Sequence, residues 1–267
     1  MLVDITYSCK MGCDHCLSDC KPDGEHMTLD TFNDTMDFMI KNMIPAWTFT
    51  GGEMFEHPDI LTILDIISDR LKGIYDGPVT FITNGRELAR NREIYEAVSD
   101  FQKKRKKKSL TIIQVTDDPR FYKDPLTKKE IYRLQKLDAF IDTVPGDDKD
   151  LNKCLYPQGR ALENYSEEWW RVKGPKCANC VLIAKQYAKT FTQLVYTLLS
   201  TSKFCTPVIA PDGSIKLGES ALCPAVASIY NEDSVIIDKI KNHKCKACKI
   251  AWDSLKEVNP TAYEMLK

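Results

Sequence analysis

Eight residues near the start of the chain, CKMGCDHC from Cys9 to Cys16, carry three cysteines in a C-x3-C-x2-C spacing. Thiolates are soft ligands that select zinc or iron–sulfur clusters. A structural zinc site closes on four ligands, and this stretch offers three. Three thiolates on a cubane 4Fe–4S cluster leave one iron open, and an open iron can hold a substrate or cofactor. Cys20, one more x3 step along, allows a fourth ligand that closes the site; the other reading makes it a small apolar residue in the packing.

A second set of cysteines lies far along the chain. Cys205 and Cys223 enclose TPVIAPDGSIKLGESAL, giving C-x12-G-x4-C around Gly218, and Cys245-Lys246-Ala247-Cys248 adds a C-x2-C. Pro211-Asp212-Gly213 marks a turn between short strands at 208–209 and 214–217, so the first two ligands flank a β-hairpin. The C-x2-C opens a final helix that includes Ala251 to Val258. Four thiolates so arranged can enclose one cluster or one zinc, and spacing alone does not choose between them. Cys154, Cys177 and Cys180 are left over, and half a metal site and local packing stay open for them.

The elements that must position these groups alternate. Leu2 to Thr6, Ala46 to Thr50, Val79 to Thr83, Leu110 to Val115 and Ala139 to Val144 read as strands. Between them, helical patterns run over Thr28 to Met43, Ile60 to Leu71, about Arg90 to Phe101, and Lys128 to Lys136. Thr28 is an N-cap candidate, and Phe32, Met36, Met39, Ile40 and Met43 form the apolar face of its helix. This rhythm predicts an α/β fold with parallel connections, and it puts the first cysteine loop at the C-terminal end of the first strand, where α/β barrels keep their chemistry. From about Asp147 the pattern breaks into short segments punctuated by Pro and Gly.

Composition bounds the rest. A chain of 267 residues, 43% hydrophobic with a net charge of −1, is long enough for one core with a smaller appended unit and gives no global pull toward nucleic acid or an anionic membrane. The start MLVDITYSC lacks a basic n-region and a long apolar h-region, and no apolar run reaches membrane-spanning length, so a cytoplasmic location is expected. Eleven cysteines there point to metal or redox chemistry and not to a disulfide framework. The run KKRKKK, Lys103 to Lys108, reads as a solvated connection; Trp169-Trp170 reads as a core or interface seal; His26, His57 and His243 lack ligand spacing and read as loop or surface residues.

Three motifs at three strand ends now stand together: the cysteine loop, Thr50-Gly51-Gly52-Glu53, and Thr83-Asn84-Gly85. They resemble the radical S-adenosylmethionine (SAM) superfamily, whose signature is C-x3-C-x-Φ-C with Φ usually aromatic, here His15, followed by a GGE motif. The resemblance covers roughly residues 1 to 145 and implies a partial (β/α)6 TIM-type barrel. It implies a SAM-binding 4Fe–4S cluster on Cys9, Cys13 and Cys16, with Gly51, Gly52, Glu53, Thr83 and Asn84 near SAM. It further implies reductive cleavage of SAM to a 5′-deoxyadenosyl radical that abstracts hydrogen from substrate, fed by an external electron donor of flavodoxin or ferredoxin type. Glycine lets backbone approach the ligand, and the Glu53 carboxylate can accept from the SAM amino group.

The later cysteines resemble the SPASM/Twitch auxiliary-cluster domains of the same superfamily, although the pattern departs from full SPASM after Cys248. One auxiliary 4Fe–4S cluster on Cys205, Cys223, Cys245 and Cys248, in a small α/β Twitch-like domain, is the implied arrangement. The division expected is a barrel core over 1–150, a barrel end and connection over 151–204, and the Twitch-like domain over 205–267. Pro157-Gln158-Gly159-Arg160-Ala161 resembles the P-x-G-R-A segment of SPASM-type enzymes, so Arg160 is expected to contact SAM or substrate, with pairing to an acid as the plainer role. The function implied is modification or oxidation of a peptide. Dehydrogenation of a small alcohol or sugar is the alternative, and a non-catalytic iron–sulfur carrier or sensor is the reading from a different class.

Overall fold

The structure is a computed structural model that describes residues 1–105, 111–119, 121–143, 159–164, 207–218 and 223–243, with isolated positions at 190, 193, 256, 260, 261 and 264. Five strands alternate with helices: β1 (Leu2–Asp4), α1 (Leu29–Lys41), β2 (Trp47–Thr50), α2 (Ile60–Leu71), β3 (Val79–Thr83), α3 (Arg86–Arg90), α4 (Arg92–Lys104), β4 (Thr111–Asp117), α5 (Lys128–Gln135) and β5 (Phe140–Thr143). A 3-10 turn, Met54–Glu56, follows β2. Then come α6 (Arg160–Asn164), β6 (Pro207–Ile209), β7 (Ser214–Leu217), β8 (Ala225–Ser228) and α7 (Asp233–Asn242).

All eight strands form one sheet in the order β5-β4-β3-β2-β1-β6-β7-β8. Every pair from β5 through β1 to β6 is parallel, and β6-β7-β8 is an antiparallel meander. This is the α/β fold with parallel connections expected from the alternation, and it is consistent with the partial barrel that the resemblance implies. The anticipated hairpin is present, and it continues the main sheet by pairing Leu2 with Val208 and Val3 with Ile209.

One face of the sheet is apolar because alternate strand residues are: Val3, Ile5, Trp47, Phe49, Val79, Phe81, Ile113 and Val115 belong to a single buried cluster with the helices. The register puts Val208, Leu2, Thr48, Thr80 and Ile112 in one row on the other face, with the Asp4–Thr50 and Ile82–Gln114 pairs in the next. That second face is mixed, with Thr48, Thr80, Asp4, Thr50 and Gln114 among Val208, Leu2, Ile112 and Ile82.

Helix boundaries follow their caps. The Thr28 side chain accepts from the Thr31 amide and buries Phe32, Met36 and Met39 below it; each such burial is worth about 1.5–3 kcal/mol. Thr127 and Glu130 make a reciprocal capping box that starts α5. The helix expected from about Arg90 to Phe101 is α4, which Asn91, extended, caps through the Glu93 and Ile94 amides; the short α3 just before it is an addition. Helix α7, which the sequence reading did not include, lays Ile236 and Ile240 into the core beside β8. No described helix is long and apolar enough to cross a membrane.

Candidate functional site

The cysteine loop grows out of a short extension of β1. Ile5 to Cys9 runs beside Lys21 to Met27: Tyr7 N donates to Glu25 O at 2.7 Å, Cys9 N to Lys21 O at 2.9 Å, and Met27 N to Ile5 O at 2.9 Å. The Thr6 hydroxyl accepts from Ser8 N at 2.9 Å and turns the chain into the loop. The base of the loop is therefore closed, and Cys9, Cys13 and Cys16 stand half-buried along it.

Gly51 and Gly52 seat the next motif against this extension. A Cβ on Gly51 would stand 2.2 Å from Thr6 O, one on Gly52 2.2 Å from Ser8 O, and Gly51 holds a φ of +137° that favours glycine. Gly52 N donates to Thr6 O at 2.7 Å and Glu53 N to Ser8 O at 2.8 Å. The close approach is of the backbone just after β2 to the backbone just after β1.

Glu53, 1% exposed, is the clamp between strand ends. Its Oε1 accepts from Thr83 Oγ1 at 2.6 Å and Phe55 N at 3.1 Å, and its Oε2 accepts from Asn84 N at 2.7 Å. Burial pushes its pKa up to about 7 against the pull of these donors. Asn84 in turn accepts from Arg86 N at 3.0 Å, which orders the start of α3. Glu56, three residues on, accepts from Lys10 N at 3.0 Å and ties the Cys9–Cys13 span to the turn after β2.

The loop after β4 completes the surroundings. The His15 and Phe121 rings meet at a tilt of 41° with centroids 4.1 Å apart, and Tyr122 Oη is 2.8 Å from Thr116 Oγ1. Burial, foremost, pushes the Tyr122 phenol up and keeps it protonated. Arg86 reaches Asp124 at 2.5 Å and Met11 Sδ at 3.8 Å. Sequence reasoning missed Glu56, Phe121, Tyr122 and Arg86. Glu56 alone carried a signal, one helical turn from Glu53 in GGEMFE.

The three thiols are not equivalent. Burial pushes Cys9 up to about 11 and, with its two cysteine neighbours, Cys13 up to about 12. Cys16 goes the other way, held down first by the Cys20 thiol, then by the Cys20 amide at 3.4 Å and the Arg160 guanidinium. Cys20 is 2% exposed and protonated, in keeping with a packed residue that donates to Cys16. Arg160 N donates to Cys16 O at 3.0 Å, its Nη2 donates to Cys20 O at 2.6 Å, and its Nε lies 3.1 Å from Asp19 Oδ1. Its side chain thus pairs with an acid, the plainer of its two expected roles.

His57 differs from the surface residue expected. It is 2% exposed, with Nε2 donating to Met27 O at 2.9 Å and Nδ1 accepting from Asp59 N at 3.0 Å, and His26 lies edge-on at 5.1 Å. Both ring nitrogens are satisfied, which is what admits an imidazole to the interior. Of the basic run, Lys103, Lys104 and Arg105 end α4 and contact Asp100, Asp65 and Gly77 O; Lys106 to Lys108 lie outside the described residues. Cys223 is half-buried ahead of β8. Cys154, Cys177, Cys180, Cys205, Cys245, Cys248 and Trp169-Trp170 lie outside the described residues.

The donor set of the first loop fits a cubane cluster. Its thiols are near enough for their neighbours to raise the pKa values of Cys9 and Cys13, and three thiolates can each take one iron of a cubane and leave the fourth open.

No protein-family model matches the chain. Over 102 residues it is 28% identical to the antilisterial bacteriocin subtilosin biosynthesis protein AlbA of Bacillus subtilis (strain 168), a match of 38% of this chain and 21% of AlbA. Its fold is similar to BtrN, solved with AdoMet and 2-DOIA, at a TM-score of 0.55 and 10% identity over 95% of this chain and 85% of BtrN. It is also similar to anSMEcpe with bound AdoMet and the Cp18Cys peptide, at a TM-score of 0.54 and 13% identity over 91% of this chain and 81% of that one. Streptococcus suis SuiB bound to precursor peptide SuiA gives a TM-score of 0.54 at 11% identity over 92% of this chain and 67% of SuiB.

Proposed function

We propose that the chain, a member of the radical SAM superfamily, is an enzyme that cleaves SAM reductively and modifies a peptide. The observation that carries the peptide reading is the match to AlbA, a bacteriocin biosynthesis protein, over 102 residues. Two similar structures hold peptides, which supports the same reading. The likeness to BtrN with 2-DOIA favours a second reading, oxidation of a small alcohol or sugar.

When bound, the cluster and SAM supply a 5′-deoxyadenosyl radical that takes hydrogen from the substrate. The residues of this chain hold and shield. Cys9, Cys13 and Cys16 would ligate three irons. A carboxylate has about four acceptor positions, and Glu53 uses three on Thr83, Phe55 and Asn84; the fourth, on Oε2, suits the SAM amine. Thr83 and Asn84, fixed by Glu53, form the facing wall. His15, tilted against Phe121, would present an aromatic side to the site. An auxiliary cluster on Cys205, Cys223, Cys245 and Cys248 would accept or relay an electron, a flavodoxin or ferredoxin would supply one, and the cytoplasm is the setting where such clusters persist.

The test is anaerobic reconstitution of the full chain, followed by dithionite and SAM. The expected result is 5′-deoxyadenosine, with about eight irons per chain for two cubanes or about four if zinc fills the second site. Absence of 5′-deoxyadenosine from iron-loaded protein overturns the enzyme reading in favour of an electron carrier or sensor. Turnover of peptides encoded beside the gene, against sugar alcohols, separates the two substrate classes.

A further inference from the structure

Two segments about 140 residues apart in sequence meet at the cysteine loop. Gly159 holds a φ of +57°, and a Cβ there would stand 2.2 Å from Cys16 O and 2.3 Å from Leu17 O, so backbone lies directly on backbone. Arg160 then binds the loop three ways: its amide to Cys16 O at 3.0 Å, its Nη2 to Cys20 O at 2.6 Å, and its Nε 3.1 Å from Asp19 Oδ1. One turn later, Asn164 Nδ2 donates to Asp14 O at 2.9 Å.

We propose that Arg160 is a positioning residue that clamps residues 14–20 of the cysteine loop and so fixes Cys16, and that it is not a ligand of SAM. The proposal rests on the reading that Cys9, Cys13 and Cys16 hold a cluster. Asp19 sits at a φ of +50°, a conformation that costs free energy for a residue with a side chain. The Arg160 ion pair offsets that cost. With residue 19 held left-handed, the chain doubles back and the Cys20 amide meets Cys16 Sγ at 3.4 Å. Arginine serves best here, because a planar guanidinium donates to the Cys20 carbonyl through Nη2 while its charge lies beside the Asp19 carboxylate, whereas lysine offers a point charge on a flexible stem. Donors directed at a cysteine sulfur tune the potential of the cluster it ligates, and removing such supports costs 10- to 100-fold in metal affinity as a rule of thumb.

The experiment compares reconstituted full-length wild type, Arg160→Ala, Arg160→Lys and Asp19→Asn. Iron loss to a chelator and the midpoint potential of the SAM-site cluster are measured without SAM, and SAM affinity is measured on the loaded fraction. The clamp predicts that Arg160→Ala loses iron about tenfold faster or more, with a more negative potential, while SAM affinity of the loaded protein stays as in wild type. Arg160→Lys recovers part of the loss. Wild-type iron retention and potential in Arg160→Ala, with or without weakened SAM binding, overturn the proposal. If Arg160→Ala does not fold, Asp19→Asn decides: faster iron loss supports the clamp, and wild-type behaviour overturns it. Amide hydrogen exchange of residues 16–20 in the iron-free chain gives an independent arm. Faster exchange in Arg160→Ala supports the clamp, and unchanged exchange overturns it. A wild-type chain that binds no cluster sinks the cluster reading instead, while this arm still judges the clamp.

Discussion

Cysteines occur at both the strand ends of β1–β4 and the β6–β8 meander, in opposite settings. At the first, parallel strands in register bring Thr6, Ser8, Gly51, Gly52, Glu53 and Thr83 into one hydrogen-bonded block, and the loop is fixed at its base and by Arg160. At the second, an antiparallel turn over Pro211-Asp212-Gly213 brings the strands together locally, and Cys223 stands outside the ladder, ahead of β8. The difference teaches that the sheet itself builds the first site, so its residues answer to tertiary register. The described part of the meander is joined by local turn chemistry.

The largest effect that bears on this comparison is chemical. Cys13→Ala is expected to abolish 5′-deoxyadenosine formation and to remove about four irons, whereas Cys223→Ala is expected to lower the iron content and leave SAM cleavage intact. Loss of cleavage in Cys223→Ala would merge the two regions into one functional unit. Next comes Glu53→Ala, which strands the Thr83 hydroxyl and two buried amides and should lower stability by about 3 kcal/mol or more, read from denaturant melts of the iron-free chain. Glu53→Gln keeps part of the acceptor set and should cost less.

A matched pair of glycine substitutions sharpens the contrast further. Gly51→Ala drives a methyl into Thr6 O and should cost about 2–3 kcal/mol. Gly213→Ala, at a φ of +78° with its neighbours 3.1 Å away or more, should cost about 1 kcal/mol. Equal costs would show that the meander is as tightly determined as the strand-end block.

The smallest effect is on pH dependence. Burial lowers the pKa of His57 in the folded chain, so the unfolded chain binds the extra proton first. The stability tied to neutral His57 is whole above about pH 6.5 and falls away as pH drops below it. Melts from pH 5 to 8 should show this acid limb, and His57→Phe should flatten it whatever it does to the overall level; an unchanged slope would remove His57 from the account.

Much of the strand-end block was legible because its signals are local. The bounds of α2 and β3 and the cap at Thr28 coincide with expectation, since apolar period and cap chemistry sit within a few residues of one another. The motif residues at 9–16, 50–53 and 83–85 could be ordered along strand ends for the same reason. What escaped was non-local. No feature of TPVIA says that β6 pairs with β1, and α7 buries only Ile236 and Ile240 while Val235 lies exposed, a pattern too thin to stand out. The Arg160 contacts depend on a loop 140 residues away, and the interior place of His57 depends on Met27 O and Asp59 N meeting its two nitrogens.

Strand β1 is three residues long and is hydrogen-bonded to β2 on one flank and β6 on the other. It is the seam at which the sequence-distant halves of the sheet are joined, and the cysteine loop leaves from that seam. On the proposed cluster reading, iron uptake should act as a gauge of completed folding: a chain whose last strands have not docked presents the cysteine loop from an unpaired edge, and nascent or truncated forms would be poor at taking up iron.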